Sequence, residues 1–341
     1  MGFGWDTTRD PCDDAVRAAA GQLRIALREL RGAAEPDPAG SVDPDPAGSV
    51  EPDPGADADA AIHEARKALR RARAMADLLR PLAGADLAGD LVDAVRGARR
   101  RLSAARDDAV LPSALRAAWR EREGTDGGAE GRPPGSAVAP LRALLAPDGS
   151  GATAGVDAET VAAIAAAMEG ARHDLGRLRT AARAAGGDLE PLGRGLRRMH
   201  RRARAAAEAA CSAAGDGAAR DDVALHDARK RFKELGYVMR WWAPAWRRPI
   251  EAWLVEVDTL VDLIGADHDQ VVLRSRLRML AHAVDGELLA WAYAGSERRS
   301  ARLRGKAGRA LVRLAAEPTG AFVARHVAYM AAARAWRLQR G

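Results

Sequence analysis

The chain has 341 residues, with 53 basic and 47 acidic side chains, a formal net charge of +6 and only 4% aromatic residues. Cys12 and Cys211 are its only cysteines and lie far apart, which argues against a disulfide framework and a cysteine-built metal site. No stretch approaches the ~20 apolar residues of a membrane span, and Met1 to Asp13 carries no apolar leader, so a soluble cytoplasmic protein is expected.

Alanine and arginine dominate, and both are strong helix formers. No segment shows sustained period-two alternation, so the fold class expected is all-α. The length allows two ordinary domains or one domain built from two related halves. In chain order, Asp13 to Gly32 reads as a first helix, with Val16, Ala20, Leu23, Leu27 and Leu30 at helical spacing. An imperfect octapeptide repeat follows, Glu35-Pro-Asp-Pro-Ala-Gly-Ser-Val42 and then Asp43 to Val50. Its closely spaced prolines and carboxylates forbid helix and discourage burial, so 34–58 reads as a disordered acidic Pro-rich loop. The alternative is a competitor that covers a basic face. Residues 35–60 hold eight acids and no Lys or Arg, so the positive excess of the remainder is larger than the whole-chain figure, which favours anionic partners.

Further helices are expected over Asp59 to Leu82, Asp86 to Ala105 and Asp107 to Arg122, the last with Pro112 in its first turn or kinking it. Residues 123–156, rich in Gly, Pro and Ser, read as a flexible insertion with a short helical stretch at 139–145. Then come Asp157 to Ala185, Leu189 to Ala214, Asp221 to Trp242, Pro249 to Ile264, His268 to Val284, Glu287 to Ala316 and Ala321 to Arg337.

Two segments about half a chain apart are nearly alike: Ile62-His63-Glu64-Ala65-Arg66-Lys67-Ala68-Leu69-Arg70-Arg71-Ala72-Arg73 and Leu225-His226-Asp227-Ala228-Arg229-Lys230-Arg231-Phe232-Lys233-Glu234-Leu235. Wound as helices, His63, Arg66, Lys67 and Arg70 share roughly 100° of arc, as do His226, Arg229, Lys230 and Lys233. Ala65, Leu69 and Ala72, or Ala228, Phe232 and Leu235, lie opposite. A second pair, 103–111 and 265–273, keeps nearly the same offset, with Asp107 and Asp269 placed to cap helix starts. The repetition implies two helical-bundle halves, about 13–188 and 189–341, within a single domain over 13–341.

Guanidinium, ammonium and imidazole donors along one helix face suit successive phosphates of a flexible polyanion. The bland reading is a solvated face, but such faces usually interleave carboxylates at i+3 or i+4. Arg298, Arg302, Lys306, Arg309 and Arg313 share roughly 80° of another helix. Arg194, Arg198, Arg201 and Arg202 share a face of the helix bearing Met199, with Arg197 and Arg204 nearby. Convergence of these stripes would make a basic groove or cavity.

Catalytic signatures are missing. There is no HExxH, Walker A or GxSxG motif, and Asp267-His268-Asp269 reads as a capping turn rather than a metal site. His63 or His226 could accept a phosphoryl group, but the simpler role is hydrogen bonding within the stripe. No enzyme activity, cofactor or metal is therefore expected. Trp241, Trp242, Trp246 and Trp253 lie near Arg240, Arg247 and Arg248 and could stack on nucleobases; core packing is the competing reading, with Trp241 and Trp246 the less settled pair.

The motifs HEARKALRRAR at 63–73, ARDDAVL at 105–111, GLRRMHRRARAA at 195–206, LHDARKRFKELGY at 225–237 and GADHDQVVL at 265–273 resemble those of the CHAD (conserved histidine α-helical) domains. The resemblance implies paired helical bundles of approximate two-fold symmetry around a basic central cavity, binding of inorganic polyphosphate and association with polyphosphate granules. Position by position it implicates His63, Arg66, Arg70, Arg71 and Arg73, then His226, Arg229, Lys230 and Lys233, and Arg197, Arg198, Arg201, Arg202 and Arg204. Gly236 departs from the arginine often found there. The ExExK strand motif of the triphosphate-tunnel (CYTH) domain fused to many relatives is not found. The leading expectation is non-catalytic polyphosphate binding, which also involves Lys67, Arg298, Arg302, Lys306 and Arg309. The alternatives are a nucleic-acid-binding helical protein and, less favoured, a phosphohydrolase or phosphotransferase.

Overall fold

A computed structural model describes residues 3–34, 54–101, 111–123, 141, 158–213, 218–282 and 284–339. The acidic repeat up to residue 53, the 102–110 motif and all of 124–157 except Leu141 lie outside the described residues. Within them the chain is all-helical, with no strand. The α-helices are α1 (Pro11–Ala34), α2 (Pro54–Arg101), α3 (Leu111–Glu123), α4 (Ala158–Ala184), α5 (Glu190–Ala213), α6 (Ala218–Trp242), α7 (Arg247–Met279), α8 (Gly286–Ala315) and α9 (Thr319–Leu338), with a 3-10 turn at Ala243–Ala245.

Local chemistry sets the starts. The Asp10 carboxylate accepts from the backbone N–H groups of Cys12 and Asp13 at 2.9 and 3.0 Å, and Pro11 opens α1 where a missing N–H costs nothing. Pro112 falls in the first turn of α3. Asp285 caps α8 by accepting from Glu287 and Leu288 at 3.0 and 3.1 Å. Gly186 and Gly187, with φ of 59° and 86°, end α4 in the left-handed region that side chains avoid.

Two expected breaks are absent. Residues 59–105, read as two helices, lie largely in the single 48-residue α2, with Pro81 inside it. Proline at that position removes the N–H that would bond the Asp77 carbonyl, and Arg198 from α5 fills the vacancy by donating Nη2 to that oxygen. The break expected at 264–268 is also missing. α7 runs through it because one interior glycine, Gly265, costs only about 1 kcal/mol and does not stop a helix. Asp269 therefore lies in mid-helix and caps nothing. Asp267 is buried and reaches Arg304 of α8 at 3.0 Å.

The principal core joins α1, α2, α4, α5, α6, the first half of α7, the end of α8 and α9, around Leu69, Met75, Leu78, Phe232, Trp241, Trp242 and Phe322. Trp241 and Trp242 are fully buried. Their indole N–H groups donate to the Asp14 carboxylate at 3.0 Å and the His326 carbonyl at 3.1 Å. A second core gathers Leu111, Leu115, Leu141, Leu273, Leu277, Leu288 and Trp291. α3 thus packs on α7 and α8, which belong to the other half of the sequence. α5 crosses α2 so closely that a Cβ on Gly195 would overlap the Leu78 carbonyl oxygen, a contact only glycine permits.

Candidate functional site

α2 and α6 lie against one another and present their charged faces to a common cavity of about 180 Å³. Six basic residues line it: Arg70 and Arg73 from α2, and His226, Arg229, Lys230 and Lys233 from α6. Tyr237 and one carboxylate, Glu234, complete the lining. Glu234 is already engaged, 3.1 Å from Arg73 and 3.5 Å from Arg231. The apolar sides of the two helices, Ala65, Leu69 and Ala72 against Ala228, Phe232 and Leu235, are buried in the core. Their amphipathic periodicity thereby aims the basic sides into the cavity.

Lys233 is faced by Arg70 from α2, by Arg229 and Arg240 on its own helix, and by Asp262 from α7. Burial, followed by the repulsion of Arg70 and Arg229, brings its pKa down to about 8. Burial also weakens the proton affinity of Arg229; Asp269 opposes the effect and Arg70 adds to it. The Arg229 Nε donates to the Val261 carbonyl at 3.1 Å, and its guanidinium lies over Gly265, where a Cβ would come within 2.8 Å of Nη2. His226 is held below the ordinary histidine range by burial, then by His268, Arg229 and Lys230.

A neighbouring cavity of about 270 Å³ shares His226 and Arg229 with the first and adds His268, Asp222 and Asp267. The His226 and His268 ring centroids are 6.2 Å apart. Both carboxylates are turned to Arg304, which also contacts Asp221 at 2.7 Å. Burial works against the Arg304 cation, but these three carboxylates raise its pKa. In the sequence Asp267 reads only as part of a capping turn and Arg304, Asp221 and Asp222 carry no signal, since only the fold brings α8 to α6 and α7.

The other sequence-selected residues sit elsewhere. Lys67 pairs with Glu64 at 3.0 Å, and His63 is exposed and Arg66 half-buried on α2. Arg71 lies over the Phe3 ring, 5.2 Å from its centroid. Arg198 is committed to Asp77, and Arg204 pairs with Glu208 at 3.0 Å. Arg197, Arg201 and Arg202 are exposed on α5. On α8, Arg298, Lys306 and Arg309 are exposed and Arg302 contacts Glu121 of α3 at 2.5 Å. None of these lines the cavity shared by α2 and α6. Gly236 is a buried contact with α7, where a Cβ would stand 3.3 Å from Val257. Trp246, half exposed, packs edge-on against Tyr329.

This arrangement can hold a dense anion through charge and hydrogen bonds. Among the described residues no group of three or more His, Cys, Asp or Glu side chains is placed to hold a metal ion, and no described helix is long and apolar enough to cross a membrane. A family model described as the CHAD domain matches residues 50–278, a span that contains α2 through α6 and all of α7 but its last residue. No curated protein matches the chain.

Proposed function

The chain belongs to the CHAD domain family, and from that premise we propose that it binds inorganic polyphosphate, without chemical turnover, in the cavity between α2 and α6. The observation that carries the reading is the imbalance of that cavity's walls: six basic residues and one carboxylate, itself held by Arg73 and Arg231. Like charges gathered in a partly buried space repel one another and lose hydration, costs that an entering polyanion reverses. Arg70 and Arg229 supply planar forks for phosphate oxygens, Lys230 and Lys233 point charges, and His226 a further donor. Counterion release drives association, so affinity falls steeply with salt.

In this reading the two His-bearing helices are the duplicated pair, α2 from one half and α6 from the other, and the cavity is the basic groove between the halves. The same module would serve to place the protein on polyphosphate granules in the cytoplasm. Nucleic acid gains less support: Trp241 is fully buried, and Trp246, though half exposed, is packed edge-on against Tyr329 and does not line the cavity where a base would have to stack.

The test is a titration of purified protein with long-chain polyphosphate, duplex DNA and single-stranded RNA at 150 and 500 mM salt. Submicromolar polyphosphate binding that outlasts both nucleic acids at the higher salt is expected. Equal or tighter nucleic-acid binding would assign the cavity to that polymer instead.

A further inference from the structure

The chain contains four lysines, and they differ in setting. Lys67 is paired with Glu64, Lys306 is exposed, and Lys230 lines the Lys233 cavity from an exposed position. Lys233 alone is half-buried among cations, in a cavity whose walls include Arg70 and Arg229. We propose that Lys233 is an acylation site for acyl phosphates, whose phosphate docks against Arg70 and Arg229 while the acyl carbon meets the Lys233 amine.

A lysine reacts only as the neutral amine. An exposed lysine at pH 8 is almost wholly protonated, with roughly 1% or less of the amine free. Lys233, with its pKa brought to about 8, is close to half neutral there. The surroundings that strip its proton are the same ones that attract the phosphate, so nucleophile and docking site coincide. The Lys233 nitrogen lone pair attacks the acyl carbonyl carbon and the bond from that carbon to the bridging phosphate oxygen breaks. Inorganic phosphate leaves with the bonding electrons, and the nitrogen passes its surplus proton to phosphate or water. An amide remains, and nothing is oxidised or reduced.

Acylation converts an ammonium of the wall into a neutral amide. Resting on the polyphosphate reading, it would weaken polymer binding and flatten its salt dependence by somewhat under one unit of log K per log salt.

The experiment uses the full chain with acetyl phosphate at pH 8, beside the uncharged acetyl N-hydroxysuccinimide ester, with occupancy at each lysine followed by mass spectrometry. Acetyl phosphate should modify Lys233 about tenfold or more faster than Lys67 or Lys306, which lie outside the cavity, as expected for a docked reagent. The Arg70→Gln variant should lower the ratio of acetyl phosphate to ester rates at Lys233 about tenfold. Excess inorganic phosphate should slow the Lys233 reaction in the unaltered protein and leave Lys306 unaffected. Equal rates at the four lysines would overturn the proposal. So would a fast Lys233 that responds to neither Arg70→Gln nor inorganic phosphate. Protection of Lys233 by long-chain polyphosphate would place both ligands in one cavity; fast, selective acetylation without such protection would uphold the acylation site and remove polyphosphate from it.

Discussion

Arg198 donates to the backbone carbonyl of Asp77, the acceptor that Pro81 leaves without its helical partner. The same guanidinium contacts the Asp77 carboxylate at 3.4 Å, and Asp77 is buried. Replacing Arg198 by Ala strands the carbonyl and leaves the buried carboxylate with only the more distant Arg80, 3.8 Å away, with an expected loss of about 2–4 kcal/mol. Pro81→Ala restores an N–H to the carbonyl and should recover part of that loss. A double-mutant cycle by urea denaturation should therefore show coupling of about 1 kcal/mol or more, whereas strict additivity would mean that Arg198 does not serve the proline.

Cavity residues and surface stripes should separate in binding. Lys233→Ala with Arg70→Gln is expected to weaken polyphosphate affinity at least tenfold and to reduce the salt slope by somewhat under one unit per cation removed. Changing Arg298, Lys306 and Arg309 together to Gln should leave both quantities nearly as they were. A reversed ranking, measured by titration at several salt concentrations, would move the binding face to α8.

Polyphosphate affinity should also depend on pH. Lys233 begins near pKa 8 and His226 below the ordinary histidine value. An anion in the cavity favours their charged forms and raises both, so binding takes up protons. Affinity should then climb as pH falls from 9 to 7 through Lys233, and again below about 6.5 through His226. Calorimetry in buffers of different ionisation heat would report the uptake; affinity that is flat from pH 9 to 7 would contradict the role given to Lys233.

Acid stability has a different source. His200 stacks on Phe322 at 4.1 Å and shares a hydrogen bond with Thr319 at 3.0 Å, while His326 is fully buried with Nδ1 2.7 Å from the Phe322 carbonyl. Burial lowers both pKa values to about 4. Because the unfolded histidines protonate first, stability is intact above about pH 6.5 and drains as pH falls toward 4, by roughly 1.4 kcal/mol per pH unit for each ring. His200→Leu should cut the slope of unfolding free energy against pH in that window by about one proton. An unchanged slope would mean that His200 is already charged in the folded protein.

Much of the fold was legible because helical periodicity is local. The helix face bearing Ala65, Leu69 and Ala72, and its counterpart with Ala228, Phe232 and Leu235, are buried as the spacing requires. What pattern alone could not supply was how helices continue and cross. The sequence places a break between Leu82 and Asp86, yet α2 continues through it, and the carbonyl freed by Pro81 is satisfied by Arg198, more than a hundred residues away in sequence. Asp267 and Asp269 look like caps, but Gly265 is too weak a breaker to end α7. The candidate site was legible to the same degree. The stripes of α2 and α6 identify Arg70, Arg229 and Lys233 by spacing, whereas Arg198 and Arg302 have the same residue type and periodicity but face Asp77 and Glu121. Charge partners across helices decide which basic residues remain available to a ligand, and a single helix's pattern does not contain them.

Glycine inside a helix is a local defect, about 1 kcal/mol poorer than alanine. α7 keeps such a defect at position 265, where the Arg229 guanidinium crosses its surface. Gly265→Ala should accordingly stiffen the helix while pushing on the guanidinium, so melting temperature and polyphosphate affinity would move in opposite directions. Propensity and function disagree at that one residue, and selection for a sturdier α7 would erode the position of an arginine 36 residues earlier in the chain.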